Sequence, residues 1–139
     1  MKRLIKYIAI HCTATQPNAS VQAIQNYWKS IGWKRPGYHI LIDASGKAHQ
    51  LAPFSEITNG VKGFNMETIH ISYIGGIDKQ GNPMDTRTET QKASILIAIK
   101  QALEWSGKNL IIQGHKDFPN VNKACPSFDA KSEYKWITI

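Results

Sequence analysis

The sequence predicts an α/β domain: a mixed central β-sheet flanked by helices. Three observations lead there. Short apolar segments rich in β-branched residues alternate along the chain with helical patterns. Two of those segments, GYHILID and KAHQLA, flank Ala44-Ser45-Gly46 closely enough to make a hairpin, which adds an antiparallel pairing to an otherwise parallel sheet. At 139 residues and 42% hydrophobic composition the chain can bury one sizeable core, and no repeat, low-complexity tract or linker divides it. Residues 1–139 therefore read as one domain.

In chain order, residues 3–10 form the first strand, so His11 sits where it leaves the sheet. After the loop TATQPNA, Ser20 caps a helix whose apolar positions Val21, Ile24, Trp28 and Ile31 recur at helical spacing, and Gly32 ends it. The hairpin follows with its glycine in the turn, and residues 52–67 form a loop. Residues 68–75 read as a buried strand, and DKQGNP after it carries turn residues without helical period. Thr88 with Gln91 makes a capping box for a helix running to about Ser106. Its run ILIAI demands a largely buried face, and Gly107 stops it. Residues 109–113 form another short strand, with His115 just beyond it as His11 is beyond the first. An amphipathic segment, residues 129–136, closes the fold as a short helix.

Composition narrows the function classes. The formal net charge is +7 and the pI about 9.5, which favours anionic partners. The basic residues are dispersed, with runs no longer than pairs such as Lys34-Arg35, and no nucleic-acid-binding module is visible, so nucleic acid is not the expected partner. Lys6 and His11 interrupt the N-terminal apolar run, and no stretch is long enough to span a bilayer. The expectation is a protein made in the cytoplasm without a signal peptide, with no membrane partner. The two cysteines, Cys12 and Cys125, fall short of the four or more of a disulfide framework, so free thiols are the stronger reading.

The residues that carry chemistry are His11, His115 and Cys125. Two imidazoles and a thiolate suit tetrahedral Zn²⁺, and catalytic zinc sites use three protein ligands while keeping a fourth position for water. In open α/β sheets functional groups gather at strand ends, where both histidines lie. Such a site activates water and polarises a carbonyl, which points to hydrolysis. Taken singly, each residue has a plainer explanation: a hydrogen-bonded structural histidine, or a small buried thiol.

Four separated motifs in order give the trio its context: IAIHCTAT, GWKRPGYHILIDASG, VKGFNMETIHISYIGGID and GHKDFPNVNKACPSFD. Together they resemble the zinc-dependent N-acetylmuramoyl-L-alanine amidases, the family that includes phage amidase lysozymes and peptidoglycan recognition proteins. That resemblance implies that His11, His115 and Cys125 hold zinc. It implies further that Tyr38 matches the tyrosine beside the metal's water position, and Lys123 the active-site lysine. The resemblance implies a peptidoglycan hydrolase of phage-lysin type, cutting between the lactyl group of N-acetylmuramic acid and L-alanine and reaching the wall through a holin-type lesion or lysis; a monomer is the expected state. A non-catalytic peptidoglycan-binding module is the alternative. Without the motif, Tyr38 is a strand tyrosine and Lys123 a solvated charge.

The chain departs from the phage pattern in three places. Asn59-Gly60 stands where the phage enzymes place a histidine, His70 stands at a position usually occupied by glycine, and the interval from His115 to Cys125 is about two residues longer. His70 reads either as a core substitution or as a neighbour of the site. Cys12 reads as a buried thiol facing away from His11, because successive strand residues alternate faces. His39 and His49 fall on the hairpin as structural or exposed residues. Trp28, Trp33, Trp105 and Trp136 read as packing aromatics, with Trp33 a candidate lining for a groove near Tyr38. Asp117 either orients a histidine or caps its loop.

Overall fold

The computed structural model describes residues 3–139. Five strands and three helices follow in the order β1 (Tyr7–Cys12), α1 (Val21–Ser30), β2 (Ile40–Ile42), β3 (Ala48–Gln50), β4 (Thr68–Tyr73), α2 (Glu89–Ser106), β5 (Ile111–Gly114) and α3 (Ala130–Tyr134). Single turns of 3-10 helix at Asn65–Glu67 and His115–Asp117 precede β4 and follow β5. The sheet order is β3-β2-β4-β1-β5. All neighbouring pairs are parallel except the β2–β3 hairpin, so the sheet is mixed, as the sequence predicts.

The helix boundaries follow their caps. Ser20 Oγ accepts the Ala23 N–H, and Thr88 with Gln91 closes a reciprocal capping box. Gly107, at φ 73°, takes the left-handed conformation that ends α2. Several element boundaries differ from the sequence reading by a few residues, and one difference bears on the site. β1 runs on through Cys12, which pairs with Tyr73, so His11 lies within the strand instead of beyond it.

The two faces of the sheet divide the side chains. Ile8, Ile10 and Cys12 of β1, with Ile69, Ile71 and Tyr73 of β4, join Ile95, Ile99 and Leu103 of α2 and Tyr134 of α3 in the main core. Period-2 alternation then sends Ala9, His11, His70 and Ser72 to the other face, and all four are buried. On that side Trp28 and Ile24 of α1 pack over Leu41 and Ile74, while Phe118 and Val61 cover Ala9. The site is built on this second face.

A buried cation secures the segment that carries Cys125. The Arg87 guanidinium donates to Asp85 and Glu133 at 2.7–3.0 Å and to the Tyr134 hydroxyl at 2.8 Å. It also lies 3.4 Å from the centroid of the Phe128 ring. The Tyr73 hydroxyl donates to the Pro126 carbonyl at 2.6 Å, tying the same segment to the end of β4. Trp28 is buried and Trp105 partly so, but Trp136, beyond the end of α3 at Tyr134, is 66% exposed, its indole N–H donating to the Glu133 carbonyl at 2.6 Å.

Candidate metal centre and active site

The strand ends bring the two imidazoles together. His11 points out of β1 away from α2, and His115 opens the 3-10 turn after β5, so their ring centroids stand 4.8 Å apart. Cys125 arrives from the loop before α3. Its sulfur accepts the Cys12 backbone N–H at 3.2 Å, and its carbonyl accepts the Lys116 N–H at 2.9 Å. One donor atom from each of His11, His115 and Cys125 lies within 4.8 Å of the others. His11 Nδ1 stands 3.9 Å from Cys125 Sγ. Zinc bonds of about 2.0–2.3 Å at tetrahedral angles set donor separations of roughly 3.5 Å, so the trio could close on a divalent ion by drawing together by up to about 1.3 Å.

Electrostatics favour the ligating forms of the imidazoles. Burial, then His70, His115 and Lys123, hold His11 well below the usual histidine range, so it is a neutral imidazole. Burial and the Lys123 ammonium pull His115 down to about 4. Among protein groups alone, the facing Cys12 thiol and burial keep Cys125 protonated. A divalent cation is the charge that would remove that proton.

The trio forms the floor of a cleft of about 250 Å³. Tyr38, Trp33, Gly60 and the exposed Lys123 are among the residues that line it. The Tyr38 ring lies 5.0 Å from that of His11, and its hydroxyl donates to the Cys12 carbonyl at 3.3 Å. Burial pushes the Tyr38 phenol above its usual range, with the nearby Cys125 adding to the effect, so it stays protonated. Both cysteines are free thiols, and Cys12 is a buried core residue outside the cluster of three.

Behind the cluster lies a chain of polar groups that the sequence did not reveal. His11 Nε2 is 2.9 Å from His70 Nδ1, and His70 Nε2 is 2.9 Å from Asn65 Oδ1. The His70 backbone N–H donates to His39 Nδ1 at 3.0 Å, while His39 Nε2 contacts the Glu56 carbonyl at 2.7 Å. Of its two readings, His70 is thus the neighbour of the site. Asp117 takes the capping role, accepting the Gly114 N–H at 2.9 Å. Strand alternation could have flagged His70, which shares a face with His11, but the Asn65 and Gly60 contributions come from a loop without periodic signal.

The profile describing N-acetylmuramoyl-L-alanine amidases matches residues 1–128. The endolysin of Enterobacteria phage K11 is 32% identical over 130 residues, covering 92% of this chain and 82% of that protein. Among solved structures, the amidase LysC from Clostridium intestinale superposes with a TM-score of 0.77 at 22% identity, over 93% of this chain and 80% of that one. The ectodomain complex of PGRP-LCa and PGRP-LCx bound to tracheal cytotoxin gives 0.80 at 21% identity, over 98% and 84%. These two likenesses show a shared fold. With nearly the whole chain inside the matching profile, the protein belongs to the N-acetylmuramoyl-L-alanine amidase family.

Proposed function

We propose that this chain is a zinc-dependent N-acetylmuramoyl-L-alanine amidase of the phage-lysin type, with residues 1–139 acting as one monomeric catalytic domain. Its substrate is the amide joining the lactyl group of N-acetylmuramic acid to L-alanine of the stem peptide. Peptidoglycan as the polymer attacked is supported by the family and by the phage endolysin relatives. The observation that carries the metal reading is the convergence of His11, His115 and Cys125 at the floor of an open cleft.

When bound, zinc would supply Lewis acidity toward the amide carbonyl and would make water a nucleophile near neutral pH. The chain's own residues do the rest. The cleft admits the stem peptide beside Tyr38, whose protonated phenol orients a water or a carbonyl by hydrogen bonding and is too weak an acid to serve as an anionic base. Lys123 brings a fixed positive charge to the rim, where the carbonyl oxygen becomes negative as water adds to its carbon. The C–N bond then breaks: water oxygen stays on the lactyl carboxylate, and a proton goes to the leaving L-alanine nitrogen. Among the described residues no helix is long and apolar enough to cross a membrane. Release to the wall through a holin-type lesion belongs to the same proposal.

The test is product analysis of purified sacculi with and without a chelator. The expected result is soluble stem peptides with new L-alanine amino termini, about one zinc per chain, and loss of both metal and release in Cys125→Ser. Release that survives chelation, or cleavage at another bond, refutes the reading. Zinc binding without peptide release leaves a binding module.

A further inference from the structure

We propose that His70 is a positioning residue that holds His11 in the one tautomer able to present Nδ1 to a metal, and that Gly60 exists to leave room for its ring. This deepens the metal reading above and rests on it.

With both rings neutral, as their complete burial requires, the hydrogen-bond chain has only one consistent assignment. Asn65 Oδ1 accepts the Val61 backbone N–H at 2.8 Å, which can only donate, so this atom is the amide oxygen. His70 Nε2, 2.9 Å from that oxygen, must therefore carry a proton. A neutral imidazole carries one N–H, so His70 Nδ1 is bare and can only accept. His11 Nε2, 2.9 Å away, must be the donor. That leaves His11 Nδ1 without a proton, and it is this nitrogen that faces Cys125 Sγ. The backbone is locked in the same sense: His39 Nδ1 accepts the His70 N–H, and the His39 N–H donates to the His70 carbonyl at 2.9 Å.

The space is reserved as well as the polarity. A Cβ at Gly60 would lie 2.2 Å from His70 Nδ1 and 2.4 Å from its Cγ, inside any tolerable contact. A side chain at 60 and an imidazole at 70 exclude each other. The two departures seen in the sequence, a missing imidazole before KGFN and an added one in β4, meet at this point. Metal-bound histidines ordinarily give their second N–H to a carboxylate, a carbonyl or water. Here a second, fully buried imidazole takes it.

Two measurements test this. In the ¹⁵N-histidine-labelled protein with zinc, imidazole NMR should find the His11 proton on Nε2, hydrogen-bonded to His70 Nδ1. A proton on His11 Nδ1, or none shared with His70, overturns the proposal. Zinc competition with a chelator should show His70→Leu raising the dissociation constant by about 10- to 100-fold. His70→Asn, whose amide oxygen replaces the lost acceptor, should stay within about threefold of the parent on the same logic. Equal weakening in both variants would mean that ring bulk matters and the acceptor does not, and an unchanged constant in His70→Leu would mean that neither does; each overturns the proposal. If His70→Leu fails to fold, His70→Asn and the parent spectrum still decide. Should the parent bind no zinc, the metal reading fails, and the His11 tautomer in that same sample decides the positioning claim separately.

Discussion

Adding one methyl group at Gly60 isolates the packing around the histidine chain. Gly60→Ala places a Cβ 2.2, 2.4 and 2.5 Å from three atoms of the His70 ring. The ring cannot recede freely, since its nitrogens are held by His11 and Asn65 and the His39 ring lies nearly parallel to it at 5.9 Å. Overpacking of this kind costs about 1–3 kcal/mol. An unfolding entropy of roughly 2.1 cal/mol/K per residue, over 139 residues, converts that into a fall in Tm of about 3–10 °C. The assay is thermal unfolding of a double-mutant cycle with His70→Ala. Once the ring is gone the three atoms nearest the added methyl go with it, so Gly60→Ala should then cost under about 0.5 kcal/mol, and the two changes should be strongly non-additive. Equal cost in both backgrounds would show that residue 60 and the ring do not compete for space, and the argument from steric exclusion would fall.

Three further outcomes follow from the same geometry. Lys123→Ala should keep zinc affinity within about twofold yet lower kcat/KM by roughly 10²- to 10³-fold, the size expected for losing one oxyanion-stabilising group, as read by turnover beside a metal titration. Arg87→Leu should destabilise the fold by about 3 kcal/mol in urea unfolding, because it strands two carboxylates; the loss sits at the low end for buried pairs since Asp85 and Glu133 still reach water. Burial pulls His39 down to about 4, against about 6.5 in an unfolded chain, so its contribution is present above about pH 6.5 and is lost as pH falls toward 4. The drop approaches roughly 1.4 kcal/mol per pH unit for this one proton. His39→Asn, which keeps an acceptor for the His70 N–H, should flatten the urea-unfolding profile by that amount, and an unchanged slope would show that His39 is not among the groups responsible.

Most of the scaffold was legible because local physics specified it. The Thr88–Gln91 box and Gly107 mark α2 at both ends, and the alternation through Ala44-Ser45-Gly46 gives the one antiparallel pair. His11 and His115 stood out because each closes or follows a short apolar run. The end of β1 was misjudged because a polar residue reads as leaving the sheet. Here the parallel partner continues, Ser72 and Tyr73 pair opposite His11 and Cys12, and tertiary pairing overrides the local pattern. The role of His70 was hidden for a similar reason. Its strand reads as uniformly buried, and nothing local says that His70 shares a cavity with residues 60 and 65 from a loop of no period. Trp136 was misjudged because a tryptophan near a helix end reads as packing, while α3 ends before presenting it to the core.

The polar face of the sheet keeps its buried imidazoles neutral by letting them satisfy one another, with the half-buried Arg3 guanidinium 3.0 Å from His39 Nε2 at the far end. His11, His39 and His70 are each at most 1% exposed, and a lone charge at that depth would cost several kcal/mol. A buried carboxylate behind His11 would hold the ring equally well but would bring such a charge into the sheet. The imidazole chain avoids it: His11 and His70 pass their ring N–H to neutral acceptors, ending on Asn65 Oδ1, while His39 Nε2 lies between the Glu56 carbonyl at 2.7 Å and the Arg3 guanidinium at 3.0 Å. Among the described residues no buried side-chain nitrogen or oxygen lacks a partner. The consequence is directional. Arg3 does not line the cleft, so the charges that face it are the Lys123 ammonium at its rim and whatever the His11, His115 and Cys125 cluster holds, and the electrostatic work of the site is concentrated where substrate can reach it.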